Sequence, residues 1–236
     1  MPGWFEGVSR DIGAAWAIAR KDMKIYYIKP SILVSSLLFP FVMFLAFAVG
    51  REAAAGTLIP GLLAVTLLFS ASSIEPVSIP IERRTKTFDR LLSAPISIRA
   101  IVLGASLSGA LFASAIGVAT TVIALIVLNA GVMNVAALLL GFALTSLCFS
   151  TMGTLFAAYR TENVGEVMSR LNLVRLPLLF ISGVFIPLAS MPGWGQSIAV
   201  FSPLTYAHDL MLFAFDGTTL FGPVIDVAAL VLAIVI

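Results

Sequence analysis

The sequence predicts an all-α polytopic membrane protein, and three observations support this fold class. Hydrophobic residues make up 60% of the 236 residues. Charged residues make up only 11%, whereas a soluble domain carries about a quarter. The apolar residues also fall into long runs, and about 20 consecutive apolar residues suffice for a helix to cross a membrane. We therefore expect six transmembrane helices in a single membrane domain over residues 1–236.

The N-terminal segment, residues 1–30, is expected to form an interfacial helix. Its apolar face repeats at helical spacing, with basic side chains roughly opposite and Ile18 and Ile25 interrupting the polar face. The apolar face consists of Ile12, Trp16, Ala19, Met23 and Tyr26, and the basic residues are Arg10, Lys21 and Lys24. Two alternatives stay open: the helix is held by anionic membrane lipid alone, or it also contacts a partner protein.

The predicted spans follow in order along the chain. They cover residues 31–50, 57–81, 100–128 and 135–159, a fifth stretch within 167–188, and a sixth that begins at 223. The sixth run is only about 21 Å long as a helix by residue 236, so we expect the natural chain to continue.

The basic residues predict a cytoplasmic N-terminus. Thirteen of the 14 lysines and arginines fall in the N-terminal segment or after the second and fourth spans, whereas Arg51 alone follows the first span. Inner loops of membrane proteins carry this excess. The net charge of +2 therefore reflects the inner membrane surface, and we expect a multi-pass protein of the cell membrane that binds lipid and no nucleic acid.

An enzyme is not expected. His208 is the only histidine and Cys148 the only cysteine, so a metal centre built from these residue types is excluded. The sequence also lacks the G-x-x-x-x-G-K-[ST] loop that cradles nucleotide phosphates. We expect no catalytic, cofactor or metal residues in this chain, and any ATP that drives it would be bound by another polypeptide.

A charged island, residues 82–98, lies between the second and third spans. Phe88, Leu91 and Leu92 recur at helical spacing with charges around them, which predicts an amphipathic helix in a cytoplasmic loop. Such a helix is typical of a segment that a protein outside the membrane binds, although its aromatic ring could instead dip into lipid. The predicted contact residues are Glu82, Arg83, Arg84, Thr85, Lys86, Phe88, Asp89, Arg90, Leu91 and Leu92.

Three polar residues inside the predicted spans form a possible inner gate: Glu75, Asn172 and Arg175. Charged residues in a membrane usually face protein or water. Glu75 is either a gating or proton-accepting group, or a carboxylate hydrated near the inner boundary, where Pro76 loosens the helix. Arg175 is expected to pair with Glu166 or with Glu162.

Weakly polar residues follow two of the spans. A row of small residues at spacing four predicts close helix packing on the third span, and hydroxyls on the fourth are expected to bond carbonyls of their own helix. Two alternatives stay open: the small residues form a seam between two copies of the chain, and the hydroxyls line a weakly polar pathway. The small residues are Ala105, Gly109, Ala113, Gly117 and Thr121, and the hydroxyl residues are Ser146, Ser150 and Thr154.

The outer region, residues 190–215, is divided by prolines into pieces too short to span a membrane. Residues 193–201 and 204–215 are therefore expected to be re-entrant or interfacial helices. Aromatic residues suit the headgroup zone on either side of the membrane. The possible outer gate consists of Gly183, Pro187, Trp194, Pro203 and Tyr206.

Two groups of motifs together resemble the permeases of type-2 ABC exporters. The first is Glu-Arg-Arg, Thr-x-x-x-Leu-Leu and Ala-Pro-Ile-Ser within residues 82–97. The second is Ser-Gly-x-x-x-Pro, Pro-x-Trp and Pro-Leu-Thr-Tyr within residues 182–206. The chain departs from this pattern at Lys86 and Asp89 in the first motif and at Asp209 after the last, so no specific substrate carries over.

This resemblance implies a permease dimer, formed with a second permease subunit, that works with two ATP-binding cassette subunits carrying ATP and Mg²⁺. The island at 82–98 would be the coupling helix that docks on them. Few intramembrane charges favour a hydrophobic drug-like or lipid-like substrate. Three alternatives stay open: a polysaccharide exporter, a proton-coupled secondary transporter that uses Glu75, and a purely structural membrane subunit.

Overall fold

The structure, a computed structural model, describes residues 2–27, 34, 38, 41–42, 55–128 and 131–235. Every regular element in these ranges is helical, which confirms the predicted all-α class. The first predicted span, residues 31–50, lies outside the described residues except at four positions.

Ten α-helices and two short helical turns make up the described part of the chain. The helices are α1 (Pro2–Asp22), α2 (Ala55–Ala71), α3 (Glu75–Arg84), α4 (Thr87–Leu92), α5 (Ile98–Leu128), α6 (Val135–Ala157), α7 (Val164–Ile181), α8 (Gly193–Ala199), α9 (Pro203–Asp216) and α10 (Pro223–Val235). A π-helical turn, Met23–Tyr27, continues α1, and a 3₁₀ turn, Leu188–Ser190, precedes α8.

Within the described residues, three helical segments are long and apolar enough to cross a membrane. They are Leu58–Arg84, Ile98–Ile126 and Val135–Ala157, close to the second, third and fourth predicted spans. The pair α8 and α9, bent by 86°, would make a fourth. This bend agrees with the predicted short outer helices. The chain is thus a multi-pass membrane protein.

The second predicted span is interrupted between α2 and α3. The hydroxyls of Ser72 and Ser73 donate hydrogen bonds to the carbonyls of Leu68 and Phe69, the last turn of α2. Pro76, in the first turn of α3, has no N–H to continue the ladder. The break therefore spans residues 72–74, just before Pro76. The sequence analysis predicted only that Pro76 loosens the helix.

Helix α2 forms the centre of the bundle and packs against α5, α6 and α9. Leu63, Leu67 and Leu68 are fully buried there. The small residues of α5 permit this packing, as predicted: a Cβ added at Gly117 would lie 2.9 Å from the Leu67 side chain.

Two of the three predicted hydroxyls on α6, those of Ser146 and Ser150, connect α5 to α6. Ser150 donates to the carbonyl of Ser106 at 2.7 Å, and Ser114 donates to Ser146 at 3.1 Å. Of the three, Thr154 donates to a carbonyl of its own helix, that of Ser150. The predicted within-helix role was wrong for the two serines, because the close approach of α5 and α6 offers them partners across the interface.

Helix α1 packs mainly against α5. Gly104 of α5 lies so close that an added Cβ would be 2.8 Å from both the Ala15 carbonyl oxygen and the Ile18 side chain. Ile18 is buried, whereas Ile12 and Trp16 are 64% and 57% exposed. The predicted apolar face is therefore split: its Ala19 side joins Ile18 against the bundle, and Ile12 and Trp16 remain uncovered by the described residues.

Candidate functional site

The charged island folds as a tight turn between α3 and α4. Lys86 adopts a left-handed backbone conformation with φ of 56°, which separates the two helices. The Thr87 hydroxyl donates to the carbonyl of Glu82 at 3.2 Å, and the Thr85 hydroxyl donates to the carbonyl of Ile81 at 3.0 Å. The turn thus satisfies carbonyls at the end of α3 and redirects the chain into α4.

Helix α4 buries none of its side chains in the described part of the protein. Phe88 is half-buried beneath the Arg83 guanidinium, 5.4 Å from the ring centre. Leu91 is half-buried and Leu92 is 48% exposed. The remaining predicted contact residues are exposed or half-buried, except for Glu82, which is buried. The predicted amphipathic helix is present, over 87–92, with its apolar side chains accessible.

The loop between α6 and α7 lies beside this segment. The Arg83 guanidinium donates to the carbonyls of Tyr159 and Ala158, just after the end of α6. A cleft of about 490 Å³ lies next to this contact and is lined by Arg84, Thr161, Glu162, Asn163 and Val164. The end of α3 and the loop between α6 and α7 therefore form one continuous surface.

Glu75 is enclosed by protein, with only 2% of its surface exposed. Its Oε1 accepts a hydrogen bond from the Tyr27 hydroxyl at 2.6 Å. Gly109 makes room for the carboxyl, since an added Cβ there would lie 2.7 Å from Oε1. The Tyr27 ring packs against Phe112 of α5 at 4.7 Å. This burial argues against a carboxylate hydrated at the membrane boundary.

Arg175 is also buried, with 2% exposure, but its partner differs from both predicted carboxylates. It donates to the carbonyl and the hydroxyl of Ser72, both at 2.9 Å. Glu166 instead accepts from Arg170 at 2.7 Å. The predicted pairing was wrong, because the carbonyl left free where α2 ends is closer to Arg175 than either acidic side chain.

The possible inner-gate residues surround one helix break without contacting one another in a single cluster. Arg175 holds Ser72 on one side of the break, and Glu75 begins α3 on the other. Asn172 is half-buried, nearly one turn before Arg175 on α7. Glu75 and Arg175 therefore both border the interruption at residues 72–74.

The possible outer-gate residues lie around the bend between α8 and α9. Gly183 has a φ of 88°, a conformation that side chains disfavour. Pro203 begins α9, and the Tyr206 hydroxyl donates to the carbonyl of Val200 at 2.7 Å. Trp194 is 69% exposed and Pro187 is exposed. The turn between α8 and α9 is thus closed by a hydroxyl–carbonyl hydrogen bond, and the gating role of these residues stays a prediction.

Asp209, where the chain departs from the related motif, fixes the loop before α10. Its carboxylate accepts from the Thr219 hydroxyl at 3.0 Å and from the backbone N–H groups of Leu220 and Phe221 at 2.9 and 3.0 Å. The Phe221 ring then packs against Tyr206 at 5.3 Å. The sequence indicated Asp209 only as a departure from the related motif and did not predict its structural role.

Lys21, at the end of α1, contacts Glu82 at the end of α3. The sequence analysis placed this lysine only on the polar face of an interfacial helix. Lys21, expected to face away from the apolar side, forms an ion pair with Glu82 at 2.6 Å. The adjacent Asp22 contacts Lys21 at 2.9 Å. Burial raises the pKa of Asp22 to about 6, although the Lys21 charge lowers it. The only local indication of this contact was the adjacent pair Lys21 and Asp22 within a basic, amphipathic segment.

Comparisons with known proteins identify a transporter family and permease relatives. The family model described as ABC-2 type transporter matches residues 13–215. The chain is 30% identical over 140 residues to a protein of Porphyra purpurea named as the transport permease ycf38, covering 58% of this chain and 48% of that protein. It is 24% identical over 160 residues to the inner membrane transport permease YadH of Escherichia coli K12, covering 68% and 62%. The chain thus spans about half to three-fifths of these relatives' lengths.

Proposed function

Because the chain belongs to the ABC-2 type transporter family, we propose that it is the permease subunit of an ATP-driven exporter. In this proposal two copies, or one copy and a related permease, form the translocation path. Two ATP-binding cassette subunits bind ATP and Mg²⁺ on the cytoplasmic side and drive transport.

One observation supports this proposal above the others: the accessible helix α4 at the inner end of a membrane-spanning segment. A secondary carrier has no need for an uncovered amphipathic helix in a short loop. Here Phe88, Leu91 and Leu92 are available to a partner, with Lys86 and Arg90 exposed around them. Burying a phenylalanine side chain contributes about 2 kcal/mol, so Phe88 in a cleft of the ATP-binding subunit would add measurably to the binding free energy.

The proposed topology has six spans with the N-terminus in the cytoplasm. The distribution of basic residues supports this orientation, and the similarity to YadH, an inner membrane transport permease, supports placement in the cell membrane. Helices α7 and α10, with the bent pair α8 and α9 between them, would provide the last two spans and the outer gate.

The proposed substrate is a hydrophobic drug-like or lipid-like molecule. Charged residues are few within the predicted spans, and two of them, Glu75 and Arg175, are buried and each hydrogen-bonded to a protein group, which favours an apolar cargo. A polysaccharide remains the alternative substrate within the same family. Transport of a labelled lipid or of a labelled oligosaccharide distinguishes the two.

The experiment is reconstitution in vesicles with an ATP-binding cassette subunit, and one encoded adjacent to this chain would be the candidate to use. ATP hydrolysis and the ATP-dependent movement of an NBD-labelled phosphatidylethanolamine are measured together. Phe88→Ala should lower lipid movement per ATP about thirtyfold or release the ATP-binding subunit, since about 2 kcal/mol of burial is lost. Phe201→Ala is the matched control, because Phe201 is 86% exposed in the outer region.

Normal ATP-dependent movement in Phe88→Ala would reject the coupling role of α4. No ATP-dependent movement of the labelled lipid by the native complex would reject the lipid-like substrate, and a labelled oligosaccharide would then test the alternative. Hydrolysis of ATP by the permease without a partner would reject the subunit arrangement.

Glu75→Gln separates the proton-coupled alternative from the exporter. The amide oxygen of glutamine can still accept the hydrogen bond from Tyr27, so assembly and ATP-dependent movement should change little. Two results together would favour the secondary transporter. The native protein would transport in response to a proton gradient without ATP, and Glu75→Gln would abolish that transport.

A further inference from the structure

Both ends of the coupling loop, residues 82–98, are attached to helix α1. At the first end, Lys21 Nζ lies 2.6 Å from Glu82 Oε1, and the Tyr26 hydroxyl donates to the same oxygen at 3.3 Å. At the other end, the Ser97 hydroxyl donates to Asp11 Oδ2 at 2.7 Å. Lys21 and Asp11 are ten residues apart, so α1 bridges about 15 Å between the two attachments.

The attachment at Glu82 is built from partly enclosed groups. The Glu82 side chain is 11% exposed and that of Lys21 is 35% exposed. Burial lowers the pKa of Lys21, but the hydrogen bond to Glu82 and the Asp22 charge outweigh it, so the net pKa is raised. Five and six residues after Lys21, Tyr26 and Tyr27 contact Glu82 and Glu75, which lie two turns apart on α3.

The π-helical turn Met23–Tyr27 supplies these two consecutive tyrosines. Such turns are rare and often mark functional sites, because they re-aim side chains relative to a regular α-helix. The backbone of α1, in contrast, is packed on α5 at Gly104. The polar side chains can therefore be changed while the apolar packing of α1 through Ala15 and Ile18 stays in place.

We propose that α1 positions the coupling helix: Lys21 and Asp11 are positioning residues that hold the two ends of the coupling loop, so that α1 and α4 move as one unit. This proposal rests on the proposed function, in which α4 transmits the closure of the ATP-binding subunits. A loop held at both ends passes displacement to α3 and α5, whereas a loop free at one end can bend and absorb it.

Two measurements test the proposal in the full chain. The first is hydrogen–deuterium exchange of the purified chain in lipid nanodiscs, which requires neither substrate nor partner. Lys21→Glu and Glu82→Lys should each speed exchange of amides within 85–96 about fivefold, the factor equivalent to losing about 1 kcal/mol. The double variant Lys21→Glu/Glu82→Lys restores an ion pair and should return exchange to near the native rate.

The second measurement is lipid movement per ATP hydrolysed, with the NBD-labelled phosphatidylethanolamine and the adjacent ATP-binding subunit. Each single reversal should lower this ratio while ATP hydrolysis continues, and the double variant should recover it. Asp11→Ala should lower it in the same way from the other end of the loop. Lys24→Glu is the matched control: Lys24 is exposed on the π-helical turn, and reversing its charge should change neither measurement.

Unchanged exchange within 85–96 in both single variants overturns the proposal. So does faster exchange without recovery in the double variant. If a reversal prevents folding, Glu82→Gln and Lys21→Met remove the ion pair with little change in shape. Each must then speed exchange within 85–96. If Phe88→Ala lowers movement per ATP but the Lys21 and Glu82 variants do not, the positioning role fails and the proposed function stands. If the native complex shows no ATP-dependent movement of any probe, both fail.

Discussion

Arg175 is a buried charged residue that contacts the break between α2 and α3. Its guanidinium donates to the carbonyl and hydroxyl of Ser72 and lies over the Phe69 ring, 4.8 Å from the ring centre. A free carbonyl at a helix C-terminus carries partial negative charge, which a cation stabilises. The arginine therefore holds the break between α2 and α3 in place.

Arg175→Met should lower the free energy of unfolding by about 2–3 kcal/mol, because the Ser72 carbonyl loses a charged donor while remaining buried. The measurement is denaturant titration in detergent micelles. Arg99→Met is the control, since Arg99 is exposed at the start of α5, and it should change stability by less than about 0.5 kcal/mol. Equal stabilities for the two variants would contradict this role for Arg175.

Asp22 predicts a pH dependence whose direction follows from its pKa. Burial raises that pKa to about 6, above the value of about 3.9 in an unfolded chain. The folded protein then binds the proton more tightly, so the stabilisation is complete below about pH 4 and is lost as the pH rises through about 6.

Native protein should therefore gain about 1 kcal/mol over Asp22→Asn when the pH falls from 7 to 5. The two proteins are compared by denaturant titration at both values, so that other titrating groups cancel. A stability difference that is the same at pH 5 and pH 7 would show that Asp22 does not titrate in this range.

At the scale of elements, apolar runs predicted the helices well, and contacts distant in sequence explain the exceptions. Runs beginning near 100 and 135 correspond to α5 and α6 within a few residues. The break after α2 depends on Ser72 meeting Arg175, which is 103 residues away. No local pattern reports such a contact. The same limit applies to Ile18, whose burial depends on the gap at Gly104 of α5.

The contact of α5 with α3 and α6 depends on one glycine. A Cβ added at Gly109 would collide with the Ser150 hydroxyl, and it would lie 2.7 Å from Glu75 Oε1 and 2.9 Å from the Ala71 carbonyl oxygen. Gly109→Ala should therefore cost about 1–3 kcal/mol of stability by overpacking. Gly13→Ala is a helical control with nothing within 4 Å, and it should be neutral or stabilise by up to about 1 kcal/mol. Similar melting of Gly109→Ala and native protein would contradict this packing.

At the scale of the whole molecule, several elements converge on the inner end of α3. Lys21 of α1 contacts Glu82, Arg83 contacts the loop after α6, and α4 follows directly. The sequence predicted the island and its accessible apolar residues, because charge and helical spacing are local properties. It did not predict the attachments at Glu82 and Arg83, because each joins residues 61 to 76 positions apart.

The central claim is that α4 docks on an ATP-binding subunit, and site-specific photo-crosslinking tests it most directly. A benzophenone amino acid is placed at Phe88 or, as control, at Phe201, and cells that also produce the adjacent ATP-binding subunit are irradiated. The account predicts a crosslinked product with the ATP-binding subunit from position 88 and none from position 201. Crosslinks from position 88 to lipid alone, or equal products from both positions, would contradict it.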